Sequence, residues 1–342
     1  MKQRLLSVAV ASLLAGVSTQ ALADGPTFYG DLNMAVTHSD KGFTTNPGMN
    51  DGLGLENNFT NIGIKGTHDI TSGLHIVYKA EVGVNGEDQS KGADPFSSRN
   101  TYFGLGGGFG EVVFGRNDTV FKWSEGSVDA FGNLNGDLDR LFVGQDRLGD
   151  SVTYKSGKIA GFQFGATYVL EDDFHGSSDA AKDYDGNNYA VTATFGDRGM
   201  GKVPYYVAVS YADGLNGVEA IRVVGTYKLG DIKLGAMFQD SEKGDLDGTG
   251  YLVSAQYRLN AWNLKAQFGY DDSGLGKFAQ NAYADLGQGG EGAEVFNYTV
   301  GAEYHLTKAA YFYGHYAYYD GSHDVAGDID DSTFTVGMRY RF

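Results

Sequence analysis

The sequence contains no cysteine among its 342 residues. That excludes disulfides, iron–sulfur clusters, thiolate zinc sites and a catalytic thiol. Proline is scarce, at four residues. No stretch after the first two dozen residues approaches the length of apolar run that a transmembrane helix needs, about 18–20 residues. Positive charge is in the minority, with 26 Lys+Arg against 43 Asp+Glu and a net charge of −17. The basic footprint of a DNA- or RNA-binding protein is therefore absent, and no nucleic-acid partner is expected.

Glycine and aromatics are abundant: 52 Gly, 23 Tyr and 21 Phe. Glycine stands at about twice its usual share of ~7% and has no collagen period, so it serves turns and close strand packing. The N-terminus has the plan of a secretory leader. Lys2 and Arg4 precede a small, apolar run from Leu5 to Val17, and Ala21-Leu22-Ala23 supplies a cleavage signal before Asp24. Residues 1–23 are expected to be removed. Residues 24–342 are expected to form one domain, since no linker or low-complexity tract interrupts them. An exported chain without membrane helices leaves two classes, a soluble all-β protein or an outer-membrane β-barrel.

The dominant pattern is alternation with period two. In the stretch 296–306, Phe296, Tyr298, Val300, Ala302, Tyr304 and Leu306 share one face, and Asn297, Thr299, Gly301, Glu303 and His305 share the other. Residues 262–270, 251–259 and 162–170 repeat it. Soluble sandwiches alternate too, but three features separate the cases. Aromatics sit at the ends of the apolar face, as in interfacial girdles. The runs reach about ten residues, the length of a tilted membrane strand. The polar face carries charges, among them Lys65, Lys79, Glu81, Arg222, Lys233, Lys265, Glu303 and Arg339, which would be costly to enclose unless water fills the interior. Sixteen such segments can be counted, joined by alternating short and long connections. The fold class is thus all-β: a 16-stranded antiparallel transmembrane β-barrel, wide enough to hold an aqueous lumen.

The block Arg99-Asn100-Thr101-Tyr102-Phe103-Gly104-Leu105, then Phe114-Gly115-Arg116-Asn117-Asp118-Thr119, and after a long loop Arg147 and Ser151-Val152-Thr153-Tyr154, resembles the Gram-negative general porin family. So does the final strand, Phe334 to Phe342. The resemblance implies homotrimers of 16-stranded barrels that conduct ions and small polar solutes, with outer-membrane lipid and lipopolysaccharide around them. It implies that a third external loop, here Asn117–Asp146, folds inward. It sets the acids Glu125, Asp129, Asp137 and Asp139 against a basic wall of Arg99, Arg116 and Arg147, with Lys65 a weaker candidate. Tyr340 and Phe342 would form the signal read by the barrel-insertion machinery. Two positions depart from the pattern: Asp31 and Asn61 stand in the lumen where relatives often carry basic residues, which favours cations.

Other chemistry finds no support in the sequence. The seven histidines show no HExxH spacing. Gly104 to Gly110 lacks the Lys-Ser/Thr of a phosphate loop and reads as a tight turn. The acidic stretches 240–248 and 320–331 do not match an EF-hand and read as solvated loops. The aromatic run 311–319 reads as girdle and packing, with an internal sugar track as the rival. No cofactor, metal or catalytic group is expected. A substrate-specific sugar porin, and a barrel whose loops serve as adhesin or phage receptor, remain open alternatives.

Overall fold

The computed structural model describes residues 25–342 apart from 47, 49, 87–93, 171–187 and 287–289. The expected leader and the connection 171–187 lie outside the described residues. The strand segments are β1 (Thr27–Ser39), β2 (Gly52–Asn57), β3 (Asn61–Thr71), β4 (Leu74–Val84), β5 (Phe96–Gly107), β6 (Gly110–Asp118), β7 (Arg147–Lys155), β8 (Phe162–Val169) and β9 (Tyr189–Gly196). They continue with β10 (Tyr205–Leu215), β11 (Val218–Leu229), β12 (Ile232–Lys243), β13 (Leu246–Leu259), β14 (Trp262–Asp271), β15 (Ala293–His305), β16 (Ala310–His323) and β17 (Ile329–Arg341). The sheet closes, with β17 returning to β1 from Asp31 opposite Arg341 to Ser39 opposite Thr333. β2 and β3 both pair with β1, one above the other, so they are two halves of a single stave broken at residues 58–60. The described residues thus form the expected sixteen-stave antiparallel barrel.

Several strands run further outward than the alternation shows. Residues 52–57 are strand, not loop. β12 and β13 continue through the acidic stretch to a turn at 244–245, and β17 begins at Ile329. On β2 the outer face stays apolar, with Leu53 and Leu55 exposed, but Gly52 and Gly54 beside them blur the alternation, whereas in the acidic stretch the apolar face itself is lost while the backbone ladder continues.

The two faces of each stave differ as the alternation requires. On β15, Tyr298 and Val300 are exposed on the outside, and Asn297 and Thr299 are buried inside. Outward rings meet in belts near both rims. Phe195 contacts Phe162 at 4.7 Å and Tyr205 at 5.5 Å. At the opposite rim Tyr251 contacts Phe238 at 5.3 Å, and Tyr270 contacts Phe296 at 4.8 Å. No helix among the described residues is long and apolar enough to cross a membrane. The strands span it instead, with every stave's ladder satisfied by its two neighbours.

The seam carries a charge clamp. Asp31 on β1 accepts from Arg339 Nη2 at 2.7 Å and Nε at 2.8 Å, and from Arg341 Nε at 3.2 Å. Beside it, Gly30 and Phe342 exchange backbone hydrogen bonds of 3.0 and 3.1 Å, and the Phe342 ring lies against Phe28 at 5.8 Å. Asp31→Asn should therefore weaken closure by roughly 1–3 kcal/mol, since two guanidinium groups lose their charged partner. The temperature at which the barrel loses its heat-resistant gel mobility should fall, and Arg339→Gln in the same background should recover part of the loss.

Candidate functional site

The segment between β6 and β7 does fold inward. Its first turn is α1 (Val120–Trp123), started by Thr119, whose Oγ1 accepts from Lys122 N at 3.2 Å. Asp137 starts a second tight turn at 138–140 in the same way. Between them, Val128, Phe131, Leu134, Leu138, Leu141 and Phe142 are buried. Val128, Leu138, Leu141 and Phe142 pack on inner-face residues of the far wall, including Val224, Met237, Leu252 and Ala317, while Phe131 and Leu134 pack with Ala35, Tyr311 and Tyr313. The barrel thus holds an apolar core on the side that runs from β9 through β17 to β1, where Ala190 and Ala35 mark its two ends.

Polar contacts pin this loop along its length. Arg222 donates to the Val143 carbonyl at 3.1 Å, stacks on Phe121 at 4.3 Å and is fully buried. It was expected on a wet face, but the loop covers it. Gln267 clasps the loop twice, accepting from Ala130 N at 2.9 Å and donating to Gly136 O at 2.7 Å. Asn135 anchors the tip. Its amide donates to Glu56 at 3.1 Å and to Thr44 O at 3.1 Å, and its oxygens meet His315 at 3.0 Å, Thr335 at 2.8 Å and Tyr319 at 2.8 Å. The aromatic strand β16 is split accordingly. Phe312 and Tyr316 point outward, whereas Tyr311, Tyr313 and Tyr319 point inward and are buried. Covered in this way, the inward tyrosines support the loop and offer no track to a solute.

What stays open is a polar space of about 590 Å³ between the loop and the wall formed by β1 and β3 to β7. Glu125, Asp129, Asp137 and Asp139 line it from the loop, and Lys65, Arg99 and Arg147 from the wall, with Asp31 and Asn61 at the side. Arg116 is not among the lining residues. The β6–β7 register shifts between Gly115 and Asn117, and the Arg116 guanidinium passes Gly149 instead. A parity count cannot be carried through such a bulge. A second shift, opposite Glu81, brings both Arg99 and Asn100 to the opening.

The two sides hold their charges differently. Wall carboxylates are ion-paired: Glu81 with Arg99 at 2.7 Å and Lys79 at 3.0 Å, Asp118 with Arg147 at 3.0 Å, and Asp31 in the seam. Asp31 is therefore not the free lumen charge its sequence position suggested. On the loop, Asp129 accepts from the backbone N–H of Phe131 at 2.7 Å and Leu138 at 3.0 Å, and Asp137 from that of Asp139 at 2.8 Å. Neither they nor Glu125 form an ion pair among the described residues. Burial pushes Glu125 up to about 7, and burial and neighbouring Asp139 push Asp137 up to about 6. Burial and Asp137 raise Asp129 as well. Burial acts on Asp139 too, but Arg140 and Lys277 hold it below the usual carboxylate range.

The family model described as Gram-negative porin matches residues 7–324. The chain belongs to the Gram-negative porin family. Outer membrane protein U of Vibrio cholerae is 27% identical over 273 residues, covering 73% of this chain and 77% of that protein. Among solved structures, OmpT of Vibrio cholerae in its trimer form superposes with a TM-score of 0.66 at 16% identity, covering 93% of this chain and 99% of that one. An anion-selective porin from Comamonas acidovorans gives 0.62 at 18% identity, covering 93% and 100%. The protein is thus a passive channel of the outer membrane and not an enzyme.

Sequence reasoning missed part of the porin's constriction. Lys79, Glu81, Asp118 and Lys122 also line the opening. The polar parity of 79 and 81 marked them as inward-facing, but nothing local gave their depth in the barrel. The role of Asn135 was invisible, since its five partners come from four distant segments. Asn135→Ala should leave the Glu56 carboxylate and His315 short of partners and free the loop tip. Single-channel recordings should then show larger and noisier currents. Quiet currents of unchanged size would contradict this anchoring role.

Proposed function

We propose that this porin passes ions and small hydrophilic solutes with a modest preference for cations, and that it works as a homotrimer. The observation that carries the preference is the asymmetry of pairing. The wall's acids are each neutralised by Lys or Arg, while Asp129 and Asp137 on the loop are held by backbone amides and Glu125 by the neutral amide of Gln145 at 2.6 Å, with no cationic partner among the described residues. Facing them, Lys65 lies over the Tyr29 ring at 4.9 Å, and Arg99 and Arg147 spend much of their charge on Glu81 and Asp118. Opposed charges of this kind put a transverse field across the opening, which orders water and disfavours apolar solutes. The cation bias here rests on the loop acids and Asn61, not on Asp31. The trimer is supported by the trimeric form of OmpT. An anion-selective channel of the same fold makes selectivity a property of side chains, not of the barrel.

Tyr340 and Phe342, outward on β17 beside the seam, are proposed as the signal for the barrel-insertion machinery. Outer-membrane lipid and lipopolysaccharide are the surroundings that the outward aromatic belts fit.

The test is a planar bilayer under a salt gradient. Stepwise closure in threes with a reversal potential of cation sign is expected; an anion sign would overturn the selectivity, and closure in single steps would overturn the trimer. The pH dependence follows from the raised loop acids. A carboxyl raised toward 6–7 is charged above that range and neutral below it. Lowering the pH from about 8 to about 5 should therefore move the reversal potential toward anions. A shift toward cations would contradict the assignment.

A further inference from the structure

A second external connection also reaches the constriction. Residues 272–292, between β14 and β15, carry a short helix, α2 (Lys277–Ala282). Phe278 is fully buried, stacked on Tyr319 of β16 at 5.0 Å and met edge-on by Phe43 at 5.8 Å. Gly276 lies so close to Leu141 that a Cβ there would stand 2.3 Å from the Leu141 carbonyl oxygen. Asn281 donates to the Phe43 carbonyl at 2.8 Å. The helix is thus seated on the inward loop and cannot swing away without breaking this packing. One consequence is electrostatic: Lys277 Nζ forms an ion pair with Asp139, one of the four loop acids lining the opening.

Resting on the channel function proposed above, we propose that Lys277 is a selectivity-setting residue of the pore. Carried in by an external loop from the opposite wall, it offsets part of the acidic charge of the constriction. Asp139 is also paired with Arg140 at 2.9 Å, but Arg140 is buried within the loop, whereas the Lys277 side chain is more than half exposed. Lys277 does not itself line the opening, so its charge acts on permeating ions through water and through the Asp139 carboxylate it pairs with. An exposed charge of this kind is screened by salt, so its influence should be greatest in dilute solution, where the Debye length is about 10 Å at 0.1 M.

The test measures the cation-to-anion permeability ratio of the trimer in planar bilayers. Lys277→Gln should raise the ratio about fourfold at low salt, because one charge at about 10 Å in water changes the local cation and anion concentrations about twofold each, in opposite directions. Lys277→Arg should leave it unchanged. Asp139→Asn should lower it, and the two neutral substitutions together should return it close to the starting value. An unchanged ratio in Lys277→Gln, or shifts of the same sign in Lys277→Gln and Asp139→Asn, would overturn the proposal and leave Lys277 a packing residue. Should Lys277→Gln assemble poorly, Lys277→Cys can be modified in channels already formed, because the sequence has no other cysteine. A positively charged thiosulfonate should then restore the starting ratio and a negatively charged one raise it beyond the value of the bare cysteine. Equal effects from both reagents would overturn the proposal. Absence of current from the unmodified protein would instead defeat the channel reading itself.

Discussion

Everything in this molecule follows from the need to pair backbone N–H and C=O groups where no water can reach them. A sheet meets that need in lipid only by closing on itself. Closure here is made between the first strand and the last, with Asp31, Arg339 and Arg341 joining them on the inside and Gly30 and Phe342 exchanging hydrogen bonds at the edge. Sixteen staves are more than side chains alone can fill. The space that closure creates must therefore hold water, or a piece of the chain, or both.

The loop after β6 answers that demand on one side only. Its apolar residues build a core against the staves from β9 through β17 to β1, and the strands beneath supply neutral or fully enclosed partners such as Gln267, His315 and Arg222. The other side stays wet and charged. The division explains why similar inward-facing positions have unlike chemistry. Where the loop covers the wall, a charge must be fully partnered, as Arg222 is by Gln239 and two carbonyls. Where water reaches the wall, acids and bases can face each other across an opening. The direction of the pore's field is thus a by-product of where the loop rests.

Much of the barrel was legible in the sequence, because lipid outside and water inside impose period two on every spanning strand. Tyr298 and Val300 against Asn297 and Thr299 show the rule in its plainest form. The rule fails where its cause fails. Residues 246–250 lost the apolar face without losing the strand, and 52–57 keep Leu53 and Leu55 outside but alternate them with glycine. Arg116 stands at a register shift, where counting by twos no longer tells in from out. The four loop acids named from the family resemblance line one opening, but their pairing was not legible. Asp31 looked like free negative charge until the barrel's closure placed two arginines beside it. Asn135 and Lys277 act across contacts between segments 79 to 200 residues apart, and a single sequence carries no local sign of that.

The central claim is that water and ions pass between the loop and the wall of β1 and β3 to β7, while the loop's other side is sealed. Cysteine accessibility tests it most directly, since the chain has no cysteine of its own. Asn133→Cys lies at the opening, and Thr299→Cys lies under the loop against Gly136. A charged thiosulfonate added to open channels should react quickly at position 133 and step the current down, and should leave position 299 untouched. Rapid reaction at 299 with none at 133 would place the conducting path on the side described here as closed, and would contradict the account.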